Sequence, residues 1–294
     1  MSHDRVLNFL VRESYVPFDL FERVKTMLNL AGGTLSVDDS VLDKPYSNPA
    51  VQELIGRHYS GKHHKTVQGI CLVTLFYTDV SGGRVPVNYR IYQQGGNRTK
   101  NDLFGQMLAE VLDWGVSPAL VTGDSWYASK QNLSQIRRYG LDAFFAIEKA
   151  RLISTQKGGY QQVGQAEIDE NGVETHLRGF DFVTVLRKEQ TNKDRHYIYY
   201  HHVPKGEKSK KATPEEFEKA HQEHWNVEQF HRAIKQLCNA ENFLVRRINA
   251  VKNHLFSVYW AFVSLEQKVQ DKLIKNWYQL RENVQLQAIR FNLT

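Results

Sequence analysis

The side chains best suited to chemistry lie on one stretch, Thr213 to Cys238, with the sequence TPEEFEKAHQEHWNVEQFHRAIKQLC. His221, His224, Glu228, His231 and Lys235 recur at spacings of three and four residues, so they share one face of a helix. Imidazole, carboxylate and ammonium in one row can move protons, ligate a metal or meet phosphate. Beside that ridge run Val227, Phe230, Ile234 and Leu237, an apolar row that must face a core. A polar helix face is ordinarily a solvated one. Its place next to a core-facing row makes this one a candidate site wall.

Two more carboxylates stand where strand-like runs end. Asp39 closes TLSVDD after Thr34, and Asp124 follows ALVTG. Either can have a plainer role, since Asp38 and Asp39 can end a strand in a turn and Asp124 can cap a turn with Ser125. If the two strands are parallel neighbours, both aspartates reach one sheet edge, where open α/β sheets form ligand sites. A helix packed by its apolar row across that sheet brings Glu228 toward them. Three hard oxygen donors without cysteine suit Mg²⁺, with Mn²⁺ able to substitute, and Asp39, Asp124 and Glu228 are the expected ligands. Two such ions roughly 3.5–4 Å apart activate an attacking hydroxyl and stabilise the leaving oxygen of a phosphodiester. The histidines with Glu228 offer zinc as an alternative, but one helix cannot wrap four of its own side chains tetrahedrally around an ion. Trp126, Tyr127 and Trp225 are either core residues or surfaces for stacking on bases.

The elements that must position these residues follow from periodicity and punctuation. Thr213, Pro214 and Glu216 form a helix start with a capping box. Residues 1–33 read as helical, with Phe18, Phe21, Val24 and Leu28 at helical spacing before Gly32-Gly33. After TLSVDD, residues 44–66 are polar and basic, with GKHHK at 61–65 the densest positive patch. The β-prone runs GICLVTLFYT (69–78) and VPVNYRIY (85–92) form a hairpin. A helix capped by Thr99 and ended by Gly115 comes next. The strand ALVTG, a short helix over 129–139 and the strand AFFAI (143–147) complete the order strand, strand, strand, helix, strand, helix, strand. From 151 to 203 the pattern alternates with turn signals at 169–172 and 192–194, which predicts an antiparallel insertion. A lysine-rich linker (Lys205, Lys208, Lys210, Lys211) leads to the helix from Thr213, and a last helix covers about 250–274.

Composition bounds the class. The 294 residues suffice for one large domain or two modest ones with a real core. A net charge of +6 favours polyanionic partners without establishing them. Cys71 and Cys238 are the only cysteines, too few for a disulfide framework or a four-cysteine zinc site, which predicts a reducing compartment. No signal peptide is evident, and the apolar run 255–265 is too short to span a bilayer, so a soluble protein without membrane contact is expected.

The segments VDDSVLDKPYS (37–47), GDSWYASKQNL (123–133) and HWNVEQFHRAIKQ (224–236) together resemble the DDE transposases of bacterial insertion sequences. The branch they resemble has a β-rich insertion and a Tyr-Arg-Glu-Lys signature helix. The resemblance covers about 34–260. It implies an RNase H-like α/β fold: a mixed sheet flanked by helices, with the antiparallel insertion before the last catalytic helix. The organisation it implies is an N-terminal helical segment (1–33), the first part of the core (34–150), the insertion (151–205), the final core helices (206–275) and a tail (276–294). It implies Asp39, Asp124 and Glu228 as catalytic metal ligands and Lys235 as a DNA contact. Expected to meet phosphate as well are His221, His224, His231, Arg246, Arg247, Lys62 and Lys65. The activity implied is metal-dependent cleavage at element ends followed by strand transfer into target DNA, in a homodimer or larger synaptic assembly in the bacterial cytoplasm at the nucleoid. A non-catalytic DNA-binding remnant, or a nuclease that cuts without transfer, is the alternative. Two positions depart, since His221 and His224 stand where the signature has Tyr and Arg, which would make those contacts pH-dependent. The insertion has no tryptophan, a residue that some relatives place there to hold a flipped base, which argues against a hairpin route. Only 38 residues precede Asp39, so either the copy is truncated or end recognition falls to the basic patches.

Overall fold

The structure, a computed structural model, describes residues 3–280 apart from 157, 170, 190–193, 205 and 208. Helices α1 (His3–Arg12) and α2 (Pro17–Val24) open the chain, and a short 3-10 turn follows. Next come β1 (Thr34–Asp43), β2 (Gly56–Ser60), β3 (Lys65–Thr78) and β4 (Arg84–Tyr92). Then follow α3 (Lys100–Asp113), β5 (Leu120–Gly123), α4 (Lys130–Arg138) and β6 (Asp142–Ile147). The region after residue 150 supplies β7 (Leu152–Ser154), β8 (Gln161–Gln162), β9 (Val173–Leu177), β10 (Phe182–Lys188) and β11 (Arg195–Tyr200). Helices α5 (Pro214–Leu237) and α6 (Ile248–Gln270) close the described fold.

All these strands belong to one sheet, in the order β2-β3-β1-β5-β6-β11-β10-β9-β7-β8, with β4 also paired to β3. The inner part, β4-β3-β1-β5-β6, has β3 antiparallel to β1 and β1, β5 and β6 parallel, which is the RNase H-like arrangement. Helices α3 and α4 cover one face of it, while α5 and α6 cover the other. On the α5 side, Phe230 meets Phe76 at 5.2 Å and Phe262 of α6 at 4.7 Å between ring centroids. Val227, Phe230 and Ile234 are fully buried there, so the apolar row of α5 faces the core.

Three expectations change. β1 does not end at Asp39 but runs four residues further, because Ser40–Asp43 keep pairing with Gly69–Leu72 of β3. The polar stretch 44–66 contains a strand, β2, which pairs with Lys65–Gly69 and makes GKHHK the tip of a hairpin. The region 151–203, expected off to one side of the carboxylate cluster, joins the core sheet instead. β11 pairs antiparallel with β6 from His196 to Tyr200, so the insertion prolongs the central sheet. Of the turn signals, Gly172 accepts a left-handed φ of 72° and its amide donates to the Asp169 carbonyl at 3.1 Å. Residues 192 and 193 of the second signal, Lys205 and Lys208 of the linker, and 281–294 of the tail lie outside the described residues.

Candidate active site

Alternation along β1 decides which groups can meet. Thr34, Ser36 and Asp38 point to α5, while Leu35, Val37 and Asp39 point to α3, since successive strand residues face opposite sides. The parallel pairing of β1 with β5 sets Val37 beside Gly123. Asp38 and Asp124 are therefore the next residues on two neighbouring strands. Gly123 permits this closeness, because a Cβ there would lie 2.6 Å from the Phe145 ring and 2.8 Å from Val37. Beyond it the chain turns, with the Trp126 amide donating to Asp124 Oδ1 at 2.9 Å and the Tyr127 amide to its carbonyl at 3.2 Å.

Helix α5 is held over this edge by its start and by its polar row. Thr213 Oγ1 accepts from the Glu216 amide at 3.2 Å, and the Thr213 amide donates to Glu216 Oε2 at 2.9 Å. The polar row then docks on the hydroxyl face of the sheet. Thr34 Oγ1 donates to Glu223, Thr122 Oγ1 donates to Ser36, and His224 Nδ1 lies 3.2 Å from Thr122 Oγ1. With the Thr122 proton given to Ser36, His224 Nδ1 is the donor to Thr122. His231 bridges two elements, Nδ1 to Asp38 Oδ2 at 3.2 Å and Nε2 to Thr74 Oγ1 at 3.2 Å, and Thr74 is bonded in turn to Tyr259 of α6 at 2.7 Å.

The electrostatics mark a crowded acidic centre. Burial first, then the neighbouring Asp38 and Asp39, push the Asp124 carboxyl up to about 7 against two turn amides. Burial first, then Asp38, push Glu228 up to about 7, with Asp124 adding to this and Arg195 and Arg232 opposing it. Burial would raise Asp38 too, but the hydrogen bond and charge of His231, with His224 and the Asp39 amide, hold it below its ordinary value. Burial lowers His224 to about 4, so it is neutral at pH 7. Among the described residues, no three histidine, cysteine or carboxylate side chains form a ready-made set that could hold an ion.

Each expected site residue can now be located. Asp124 and Glu228 sense one another on the α5 side, but the aspartate that shares this side is Asp38 and not Asp39. Asp39 lies on the α3 side, where Lys100 Nζ donates to it at 2.6 Å, Tyr127 OH at 2.9 Å and Cys71 Sγ at 3.4 Å. The signal was present in the sequence: polar residues at 34, 36, 38 and 40 alternate with Leu35, Val37 and Val41. Of the histidines, His231 is buried against Asp38, His224 is tied to Thr122, and His221 packs by its ring on Tyr197 at 5.6 Å and Phe217 at 6.1 Å. Burial and Lys188 lower the His221 pKa. Lys235 donates to the Val41 carbonyl at 2.7 Å and stands 3.9 Å from Glu241. Lys62, Lys65, Arg246 and Arg247 are exposed, Lys62 within 3.6 Å of Asp43. The groups beside this centre that sequence reasoning did not propose for it are Asp38, the hydroxyl layer, and Arg195 and Arg232. Arg195 comes from the insertion, and nothing in the sequence pairs it with Glu228 because only the β6–β11 contact brings it there.

Residues 34–264 match a family model described as a transposase DDE domain, and the chain belongs to that family. It is a DDE transposase domain with an RNase H-like fold. No curated protein sequence matches it significantly. Among solved structures it is similar to the cryo-EM structure of the piggyBac transposase synaptic complex with hairpin DNA, at 12% identity and a TM-score of 0.48. That likeness covers 92% of this chain but 63% of the other. It is also similar to the crystal structure of A. aeolicus Argonaute, at 13% identity and a TM-score of 0.26, covering 66% of this chain and 24% of that one. No helix among the described residues is long and apolar enough to cross a membrane.

Proposed function

We propose that this chain is the transposase of a bacterial insertion sequence, cleaving DNA at the element ends and transferring the 3′ ends into target DNA. Asp38, Asp124 and Glu228 are the catalytic carboxylates in this reading, with Asp38 in the role that spacing alone gives to Asp39. The observation that supports it is the β1–β5 register, which sets Asp38 next to Asp124 beneath the helix row that carries Glu228. Family membership supports DNA transposition as the process.

The donor set fits Mg²⁺ or Mn²⁺. Hard oxygen donors on one side of the sheet edge suit such an ion, and although no three described side chains are already gathered about one point, a cation would offset the burial and the mutual repulsion that push Asp124 and Glu228 up to about 7. Bound there, divalent ions supply the charge that activates a hydroxyl and stabilises the departing oxygen of a phosphodiester. His231, braced by Thr74, orients the Asp38 carboxylate. The signature-helix positions held by His221 and His224 do not supply an arginine's charge at neutral pH, and Arg195 and Arg232 beside Glu228 take that part. Lys62, Lys65, Arg246 and Arg247 meet phosphate along the flanks, and Lys235 contributes less because its ammonium is committed to Val41. A homodimer or larger synaptic assembly with both element ends, at the nucleoid in the cytoplasm, completes the reading.

The test is nicking and joining of element-end DNA by the wild type with each metal, beside Glu228→Gln. The variant keeps the side-chain volume but removes the charge, so it loses cleavage while its DNA affinity stays equal or rises slightly. Cleavage surviving in Glu228→Gln removes it from the catalytic set. A wild type that never cuts, with either metal and any end sequence, supports the binding remnant favoured by the two histidine replacements. Cutting without joined product supports a nuclease.

A further inference from the structure

Three tryptophan or tyrosine residues invited comparison with base-stacking surfaces, and the structure separates them. Tyr127 is fully buried and spends its hydroxyl on Asp39, so it is a core residue. Trp225 is 41% exposed on α5. Trp126 is 62% exposed, two residues after Asp124, and its backbone N–H donates a hydrogen bond to that carboxylate. Its ring makes no aromatic contact within the core among the described residues. The one polar group set against it is Lys100, whose ammonium lies 5.5 Å from the Trp126 ring centroid and 5.7 Å from that of Tyr92. Lys100 is itself fixed by Asp39 at 2.6 Å. A large apolar ring thus stands in solvent at the edge of the carboxylate centre, with a cation anchored beside it. Leaving an indole exposed forgoes burial worth about 2 kcal/mol or more, so a partner surface is the natural complement.

We propose that Trp126 stacks on the terminal base of a DNA strand end, with Lys100, ion-paired to Asp39, set beside the ring. This rests on the reading of Asp38, Asp124 and Glu228 as the cutting centre. An indole needs a bare base face, and intact duplex offers none. Cleavage beside Asp124 followed by parting of the cut end from its flank creates one, because the last base of the freed strand has a neighbour on one side only. Stacking of this kind tolerates any sequence, since every base has a π-face. Trp126 is then a positioning residue for the product end, retaining it for the joining step. Asp39 acts behind it by fixing Lys100.

The experiment uses the full chain and a 20-base-pair duplex of arbitrary sequence, with a short 3′ overhang ending in 2-aminopurine. A matched probe places the 2-aminopurine in the duplex interior. Binding by the wild type quenches the terminal fluorophore and leaves the interior one unchanged. Trp126→Ala abolishes that quenching and loses roughly ten- to a hundred-fold of the preference for the overhang over a covalently closed circular duplex, which has no ends. Trp126→Phe restores most of both, and the affinity of all three for the closed circle is the same. Quenching equal in Trp126→Ala, absent in the wild type, or equal at the interior position overturns the proposal. No cleavage is needed for this measurement. Failure of the catalytic reading therefore appears in the nicking assay, and failure of the stacking appears here.

Discussion

Asp38 and Asp39 are adjacent and chemically identical but face opposite sides of the sheet, and exchanging each for asparagine tests the different duties proposed for them. Asp39 forms an ion pair with Lys100 at 2.6 Å, with 15% and 18% of the two side chains exposed. Asp39→Asn leaves the ammonium without its counter-charge in a mostly buried place. Removing one partner of a fully buried pair costs about 3–5 kcal/mol. The residual exposure reduces this to roughly 2–4 kcal/mol. At about 2–3 °C per kcal/mol for a chain of this size, Tm falls by roughly 5–10 °C. Asp38→Asn takes from His231 a carboxylate whose charge the fold favours, but relieves the repulsion at Asp124 and Glu228, so the two effects oppose and Tm falls less than in Asp39→Asn. Cleavage follows the reverse order: lost in Asp38→Asn, and retained in Asp39→Asn at temperatures where that variant is folded. Thermal unfolding and metal-dependent nicking, measured on the same preparations, give both readouts. Adding Lys100→Met to Asp39→Asn recovers most of the lost Tm, since deleting both charges avoids the unpaired one. The reasoning is refuted if Asp39→Asn abolishes cutting while folded and Asp38→Asn cuts normally. That result would mean that the α3 side of the sheet is the catalytic one.

Three further outcomes are expected. Affinity for duplex DNA falls steeply with salt, and Arg246→Ala or Arg247→Ala each lowers the slope of log affinity against log salt by about 1; a flat salt profile contradicts phosphate contact by these groups. Thr213→Ala removes the cap of α5 and costs about 1 kcal/mol, visible as a fall of roughly 2–4 °C in Tm, whereas no change would mean that α5 is held by packing alone. Lys44 is buried, with its ammonium donating to the carbonyls of Glu241 and Phe243, and burial lowers it to about 8 against the opposing charge of Glu241. Between pH 8 and 10.5 the unfolded chain therefore binds a proton at Lys44 that the folded chain does not, so this group makes stability rise with pH across that window. Lys44→Met flattens the rise, and chemical denaturation at pH 8 and 10 measures it.

The sequence alone determined the elements and most of their roles. The cap at Thr213, the apolar row on α5 and the strand-like runs before Asp39 and Asp124 depend on local pattern, and local pattern survives in the fold. So do the two cysteines without a framework and the RNase H-like order of the core strands. What it did not determine were facts created by pairing. The alternation at 34–40 separates Asp38 from Asp39, but that β1 continues as a strand past both, and which face α5 covers, follow from its pairing with Ile70, Cys71 and Leu72, some thirty residues away. Arg195 comes near Glu228 only because β11 completes an edge of β6, which no spacing within the insertion records. His224 and Lys235 read as free cations in a helical row, but the row docks on hydroxyls and a carbonyl, and desolvation sets their charge. A side chain's type and its helical or strand phase are written in the chain. Its neighbour across the sheet, and the dielectric it sits in, exist only once distant segments have packed.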